Sequence, residues 1–212
     1  MSPSAPPLTP RQIDQLTVAF HRGAAEASDA LARWLNSPLA ISIDSVDQCP
    51  LAAAIEILGV GDAAICVALM EMEGTLTGHM LLAFDDVSGM AMSDLLLSQV
   101  PGTASHWGDI EVSCVLETMN IAGSAYLNGI AHDLTERGDF PCELIPSPPK
   151  FLRDFAESLL QSAFMDQAFA GGDVVFARTR FDLAGQPLQW TFLLIPDPTS
   201  LNTLAELLSQ LP

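Results

Sequence analysis

Cations are scarce in this chain: 8 Lys and Arg stand against 26 Asp and Glu, a formal net charge of −18. An acidic excess of that size repels phosphate backbones and anionic lipid surfaces, so neither nucleic acid nor the membrane surface is an expected partner. Long apolar runs are missing too. The longest uninterrupted one, Ala63 to Met70, is far short of the roughly 20 residues that span a bilayer, so the 49 % hydrophobic content is assigned to core strands and helices. Cys49, Cys66, Cys114 and Cys142 form no CxxC pair, and the four histidines form no HxH or HxxxH set. A metal centre therefore has no support, and the thiols are expected to be reduced and buried. The opening MSPSAPPLTP has neither a basic patch nor the apolar segment of a secretory signal, and its four prolines predict a flexible lead-in over residues 1–11. A cytoplasmic location is the expectation.

What is present is an order of elements that occurs twice. Gln12–Leu35 has helical spacing, Leu39–Val46 reads as a strand, and Leu51–Leu58 reads as a short helix or irregular segment. A hairpin follows, Ala63–Glu71 and Gly78–Phe84 around GTLTG, and then a helix over Met90–Gln99. The second pass has a helix over Asp109–Leu134, a strand over Cys142–Pro146 and a helix over Lys150–Phe169 after Pro148 and Pro149. It continues with a hairpin, Val174–Asp182 and Leu188–Ile195 around LAGQP, and a closing helix over Thr199–Leu211 with Ser200 as candidate N-cap. The halves run over about 12–100 and 107–212. A lone hairpin is marginal in water, so the two halves are expected to share one sheet in a single α/β domain over 12–212. That sheet would have about six strands, be rich in antiparallel pairs, and carry the two long helices side by side on one face, related by a pseudo-twofold axis.

In the second long helix Ser113, Glu117, Asn120, Ser124 and Asn128 are spaced by 4, 3, 4 and 4, which gathers them into one polar stripe. Val112, Val115, Met119, Ala122, Tyr126 and Ile130 fall on the opposite side, facing the core. A carboxylate and a carboxamide one turn apart on a solvent face need no function by themselves, since an ExxN arises about once per 400 positions at average usage.

The surrounding text is more specific. SCVLETMNIAGSAYLNGIA, Pro141 after it, GTLTGHMLLAF at 74–84, FLLIPDPTSL at 192–201 and the doubled hairpins resemble the CheC, CheX and FliY family of response-regulator phosphatases. The family signature is an Asp or Ser, a Glu four residues on, an Asn three residues later and a downstream Pro. Ser113, Glu117, Asn120 and Pro141 match it, with Pro141 earlier than the usual spacing. The resemblance implies a CheC-like fold and an aspartyl-phosphate phosphatase acting on a phosphorylated CheY-like receiver domain. It implies Glu117 and Asn120 as catalytic residues, with Asn120 orienting the water and Glu117 docking the receiver lysine, and Ser113 and Pro141 in support. It implies no cofactor of the chain's own, since the receiver supplies Mg2+, and a CheD-like deamidase is a further candidate partner.

The halves differ where chemistry would sit. An offset of 99 residues places Val18 opposite Glu117 and His21 opposite Asn120, with Asp14 opposite Ser113, so a single site is expected and His21 is read as a surface residue. The alternative function is a non-catalytic binding module of the same fold, similar to the flagellar switch or to a regulator of a receptor deamidase.

Overall fold

The computed structural model describes residues 7–50, 53, 64–100, 102–138, 140–155, 158–159, 173–183 and 186–211. Helix α1 spans Pro10–Leu35. It starts two residues earlier than its apolar spacing predicts because Thr9 and Gln12 form a capping box. The Thr9 hydroxyl accepts the Gln12 N–H, while the Gln12 side chain accepts the Thr9 N–H. Strand β1 (Leu39–Pro50) follows, then the hairpin β2 (Ala64–Gly74) and β3 (Gly78–Phe84), and helix α2 (Asp86–Leu96). The second half contributes α3 (Asp109–Gly138), β4 (Leu144–Pro146), β5 (Lys150–Phe155), the hairpin β6 (Asp173–Leu183) and β7 (Gln186–Pro196), and α4 (Pro198–Gln210).

The strands make one antiparallel sheet in the order β1-β6-β7-β3-β2-β4, with β5 also paired to β2. Among the described residues seven strands replace the expected six or so, and they are interleaved. The outer strand of each half pairs with the hairpin of the other half: β1 lies on β6, and β4 and β5 lie on β2. The two halves meet at β3 and β7.

Helices α1, α3 and α4 cover one face, where Leu16, Phe20, Met119, Tyr126 and Leu204 pack on Met70, Leu82, Phe181 and Phe192. Alternate residues of β2 and β3, among them Val67, Leu69 and Leu81, are buried on the other face with Leu159. Burial on both faces explains why Ala64–Met70 reads as an unbroken apolar run and not as an alternation. The long helices lie close. A Cβ on Gly129 would stand 2.5 Å from Gly23 Cα, and one on Gly23 would stand 2.9 Å from the Tyr126 carbonyl, so the contact requires glycine on both helices.

Three expectations need correction or relocation. The helix expected over Lys150–Phe169 is a strand at its start, because Lys150–Phe155 supplies partners for the N–H and C=O groups along the edge of β2; tertiary pairing outweighs local spacing there. Of the remainder, only residues 158 and 159 are described, and the segment expected over Leu51–Leu58 also lies outside the described residues save residue 53. Ser200 is not the N-cap of α4. Asp197 holds that position, and the Ser200 hydroxyl, in the first turn, accepts the Thr77 N–H at 2.8 Å.

Candidate functional site

Helix α3 turns its polar stripe outward as expected. Ser113, Glu117, Asn120 and Asn128 are exposed and Ser124 is half-buried, while Val115, Met119, Ala122, Tyr126 and Ile130 are buried beneath them. The Ser113 hydroxyl donates to the Asp109 carbonyl at 2.7 Å, which spends its proton on the helix itself. Ser113, Leu116, Glu117 and Asn120 form one wall of an open groove of about 480 Å³. The other wall is the connection between β4 and β5: Pro146, Ser147, Pro148 and Pro149.

That second wall is pinned to the sheet. Ser147 N–H donates to the Glu71 carbonyl at 2.9 Å, and the Glu71 N–H donates to the Ser147 hydroxyl at 2.9 Å. Lys150 Nζ reaches Glu71 Oε1 at 2.8 Å, which lowers the Glu71 pKa. Pro148 and Pro149, without N–H donors, interrupt the ladder on β2 between β4 and β5 and leave a rigid edge beside Glu117 and Asn120. Pro141 is not part of this groove. It lies in the exit from α3, next to Cys142, whose N–H donates to Thr135 Oγ1 at 3.0 Å. The prolines the fold brings to Glu117 and Asn120 are Pro146, Pro148 and Pro149.

A carboxylate that sequence reading did not single out holds both walls in place. Asp86, in the first turn of α2, accepts Arg153 Nε at 2.8 Å and Nη2 at 2.6 Å, so it fixes β5 just past Pro149. It also accepts Trp107 Nε1 at 2.7 Å, two residues before α3 begins, and the Cys66 thiol of β2 at 3.3 Å. Arg153 holds the Asp86 carboxyl well below the usual carboxylate range, with Trp107 and Cys66 contributing against partial desolvation. Burial first, and Asp86 second, push the Cys66 thiol far up, so it stays protonated. Trp107 packs on Phe151 of β5 with ring centroids 4.9 Å apart, a second link between the walls. No motif in the sequence joins Asp86 to Trp107, Arg153 or Cys66, so nothing in it pointed to this link.

The counterpart stripe on α1 has the placement without the chemistry. Asp14, Val18 and His21 are all exposed, Val18 by 48 %. Further along α3, Ser124 and Asn128 face Glu26, Asp29 and Arg33 of α1 across a second groove of about 370 Å³. Among the described residues no three His, Cys, Asp or Glu side chains are placed to hold a metal ion, and no helix is long and apolar enough to cross a membrane.

No protein-family model and no curated protein sequence matches this chain. Solved structures do. Thermotoga maritima FliY superposes with a TM-score of 0.76 at 17% identity, over 96% of this chain and 98% of that one. FliM from the Helicobacter pylori FliM–SpeE complex (H. pylori) gives 0.68 at 13% identity, over 95% of this chain and 96% of that one. CheX from the Borrelia burgdorferi CheX–CheY–BeF3–Mg2+ complex gives 0.51 at 14% identity, over 87% and 99%. At these identities the likeness is one of architecture, and on it the chain has the CheC-like fold shared by FliY, FliM and CheX.

Proposed function

We propose that this chain hydrolyses the aspartyl phosphate of a response-regulator receiver domain in chemotaxis or a related two-component pathway. The observation that carries the reading is the groove that opens beside exposed Glu117 and Asn120, on a fold whose CheX member is found in complex with CheY. An aspartyl phosphate is already activated, so the chain needs mainly to position reactants. The Asn120 carboxamide both donates and accepts hydrogen bonds, and it would hold a water in line with the bond between phosphorus and the aspartyl oxygen. Attack forms the new P–O bond to water and expels the aspartate carboxylate. Glu117, one turn away, would pair with the receiver's lysine and fix the docking register. Ser113 supports the stripe from one turn earlier. The cation that neutralises the phosphoryl oxygens belongs to the receiver, and the reaction belongs in the cytoplasm with its substrate.

A second reading, a binding module without hydrolysis, is supported by the likeness to FliM, whose TM-score is higher than that of CheX. A dephosphorylation assay against a panel of phosphorylated receivers from the same organism separates the two. The proposal expects at least one receiver to lose phosphate faster in the presence of the chain, with a Mg2+ dependence that follows the receiver. Tight binding without acceleration for every receiver would support the second reading instead.

A further inference from the structure

The chain has eight cationic side chains, and seven are engaged. Arg22 pairs with Glu136, Arg137 with Asp133, Lys150 with Glu71, Arg153 with Asp86 and Arg180 with Asp44. Arg11 donates to the Leu211 carbonyl, and Arg178 is engaged as well. Arg33 remains. It is exposed, and among the described residues its guanidinium has no ion-pair partner, although Asp29 stands four residues before it on the same helix. In a chain of net charge −18, a guanidinium left without a carboxylate is out of keeping with its surroundings.

Its position is what gives this weight. Arg33 lines the second groove with Ser124 and Asn128, which continue the stripe that begins with Ser113, Glu117 and Asn120. Eight residues of helix separate Asn120 from Asn128, about 12 Å along the axis. A standard interface covers about 800 Å² per partner, a patch roughly 30 Å across, so a receiver seated on Asn120 would lie over the second groove as well.

We propose that Arg33 is the specificity contact of the docking face, taking a carboxylate side chain of the bound receiver in the groove between α1 and α3. A fixed planar fork of N–H donors suits a carboxylate, and the Ser124 hydroxyl and Asn128 amide stand at the same groove to share it. Glu26 and Asp29 line the groove too. Two carboxylates beside one guanidinium disfavour a free phosphate ion and suit a protein surface on which an acidic side chain adjoins a basic one. Arg33 also lies in the last turn of α1, where a cation offsets the helix dipole. That role would affect folding alone, whereas a docking contact affects association.

The inference rests on a receiver docking at Asn120, and the test separates the two ideas. The full chain and its Arg33→Glu, Arg33→Gln and Arg33→Lys variants are compared on a receiver that the wild type dephosphorylates, by steady-state kinetics and by binding to that receiver loaded with BeF3 and Mg2+. Arg33→Glu should raise KM and Kd about tenfold with kcat within about twofold, since a charge at the rim of an interface acts on association. The gap should narrow at about 1 M salt, where the screening length falls to about 3 Å. Arg33→Lys keeps the charge but loses the planar fork, so its Kd should fall between those of wild type and Arg33→Gln. If Arg33→Glu does not fold, the neutral Arg33→Gln serves, with a smaller rise of the same kind. Unchanged Kd in the folded variants, or a loss confined to kcat, overturns the proposal. An Asn120→Ala chain with full activity would sink the hydrolytic mechanism while leaving the Arg33 effect on Kd readable, and a wild type that binds no receiver overturns both.

Discussion

The two halves of this chain are alike in framework and unlike in chemistry, and the difference lies at one place in each. In the first half Ile41 to Ser45 spans four steps of β1 opposite three of β6, Phe181 to Arg178, and the extra residue is taken up as an irregularity in a continuous strand. In the second half Pro146 to Lys150 again spans four steps opposite three, Met72 to Leu69 on β2. The same surplus residue is present, but Pro148 and Pro149 cannot donate to the ladder, so the strand parts into β4 and β5. That break faces Glu117 and Asn120, whereas the intact strand of the first half belongs with Val18 and His21 on α1. Repetition of the framework follows from burying one shared core; neither the break nor the polar pair is needed for that, so each half could keep or lose them.

Perturbing what the halves share should have the largest effect. Gly129→Val drives a branched side chain into the Gly23 backbone, and the expected cost is about 3 kcal/mol, roughly 6–12 °C in Tm at this chain length. A thermal melt measures it; an unchanged Tm would mean that the helices do not cross so closely. Replacing Pro148 and Pro149 together by alanine removes the rigid wall while leaving the stripe on α3. We expect KM for the phosphorylated receiver to rise about tenfold with little change in Tm, since no buried side chain is lost.

Asp86→Asn should act more mildly and carry a pH signature. Its folded pKa is lowered chiefly by Arg153, so its contribution is fully present above the unfolded value near 3.9 and is lost as pH falls through the lower folded value. The Tm gap between wild type and variant, a few degrees at neutral pH, should persist to about pH 4 and close only below it. A gap that closed on raising the pH would contradict the assignment. Grafting Val18→Glu with His21→Asn onto α1 should do least of all. Both positions are exposed, so stability should hold, and with an unbroken β1 the activity should stay within about twofold of wild type.

Much of the framework was legible because it depends on local periodicity. Helices α1 and α3, both hairpins and the polar stripe with its buried opposite side all follow from apolar spacing. The exchange of outer strands between halves was not legible, because the order of elements does not say which hairpin an outer strand joins. Lys150–Phe155 was misread for a related reason. A six-residue run with mixed polarity is compatible with either conformation, and its partner β2 lies some 80 residues away in the chain. The candidate site divides in the same way. Ser113, Glu117 and Asn120 share a helix, so their spacing exposes them together. The facing wall of Pro146, Ser147, Pro148 and Pro149 is a tertiary neighbour, and Pro141, which the family signature implies, does not line the groove. Asp86, on α2, joins β2, the approach to α3 at Trp107, and β5 through side-chain hydrogen bonds that no pattern within one segment can reveal.

The central claim is that hydrolysis depends on the carboxamide of the second half and not on its counterpart in the first. Single-turnover dephosphorylation of one phosphorylated receiver by wild type, Asn120→Ala, Val18→Ala and His21→Ala tests it directly. The account predicts that Asn120→Ala is about 100-fold slower, about 2.7 kcal/mol of lost transition-state stabilisation, with receiver binding largely kept, while both α1 variants stay near the wild-type rate. Full activity in Asn120→Ala, or an equal loss in His21→Ala, would contradict it.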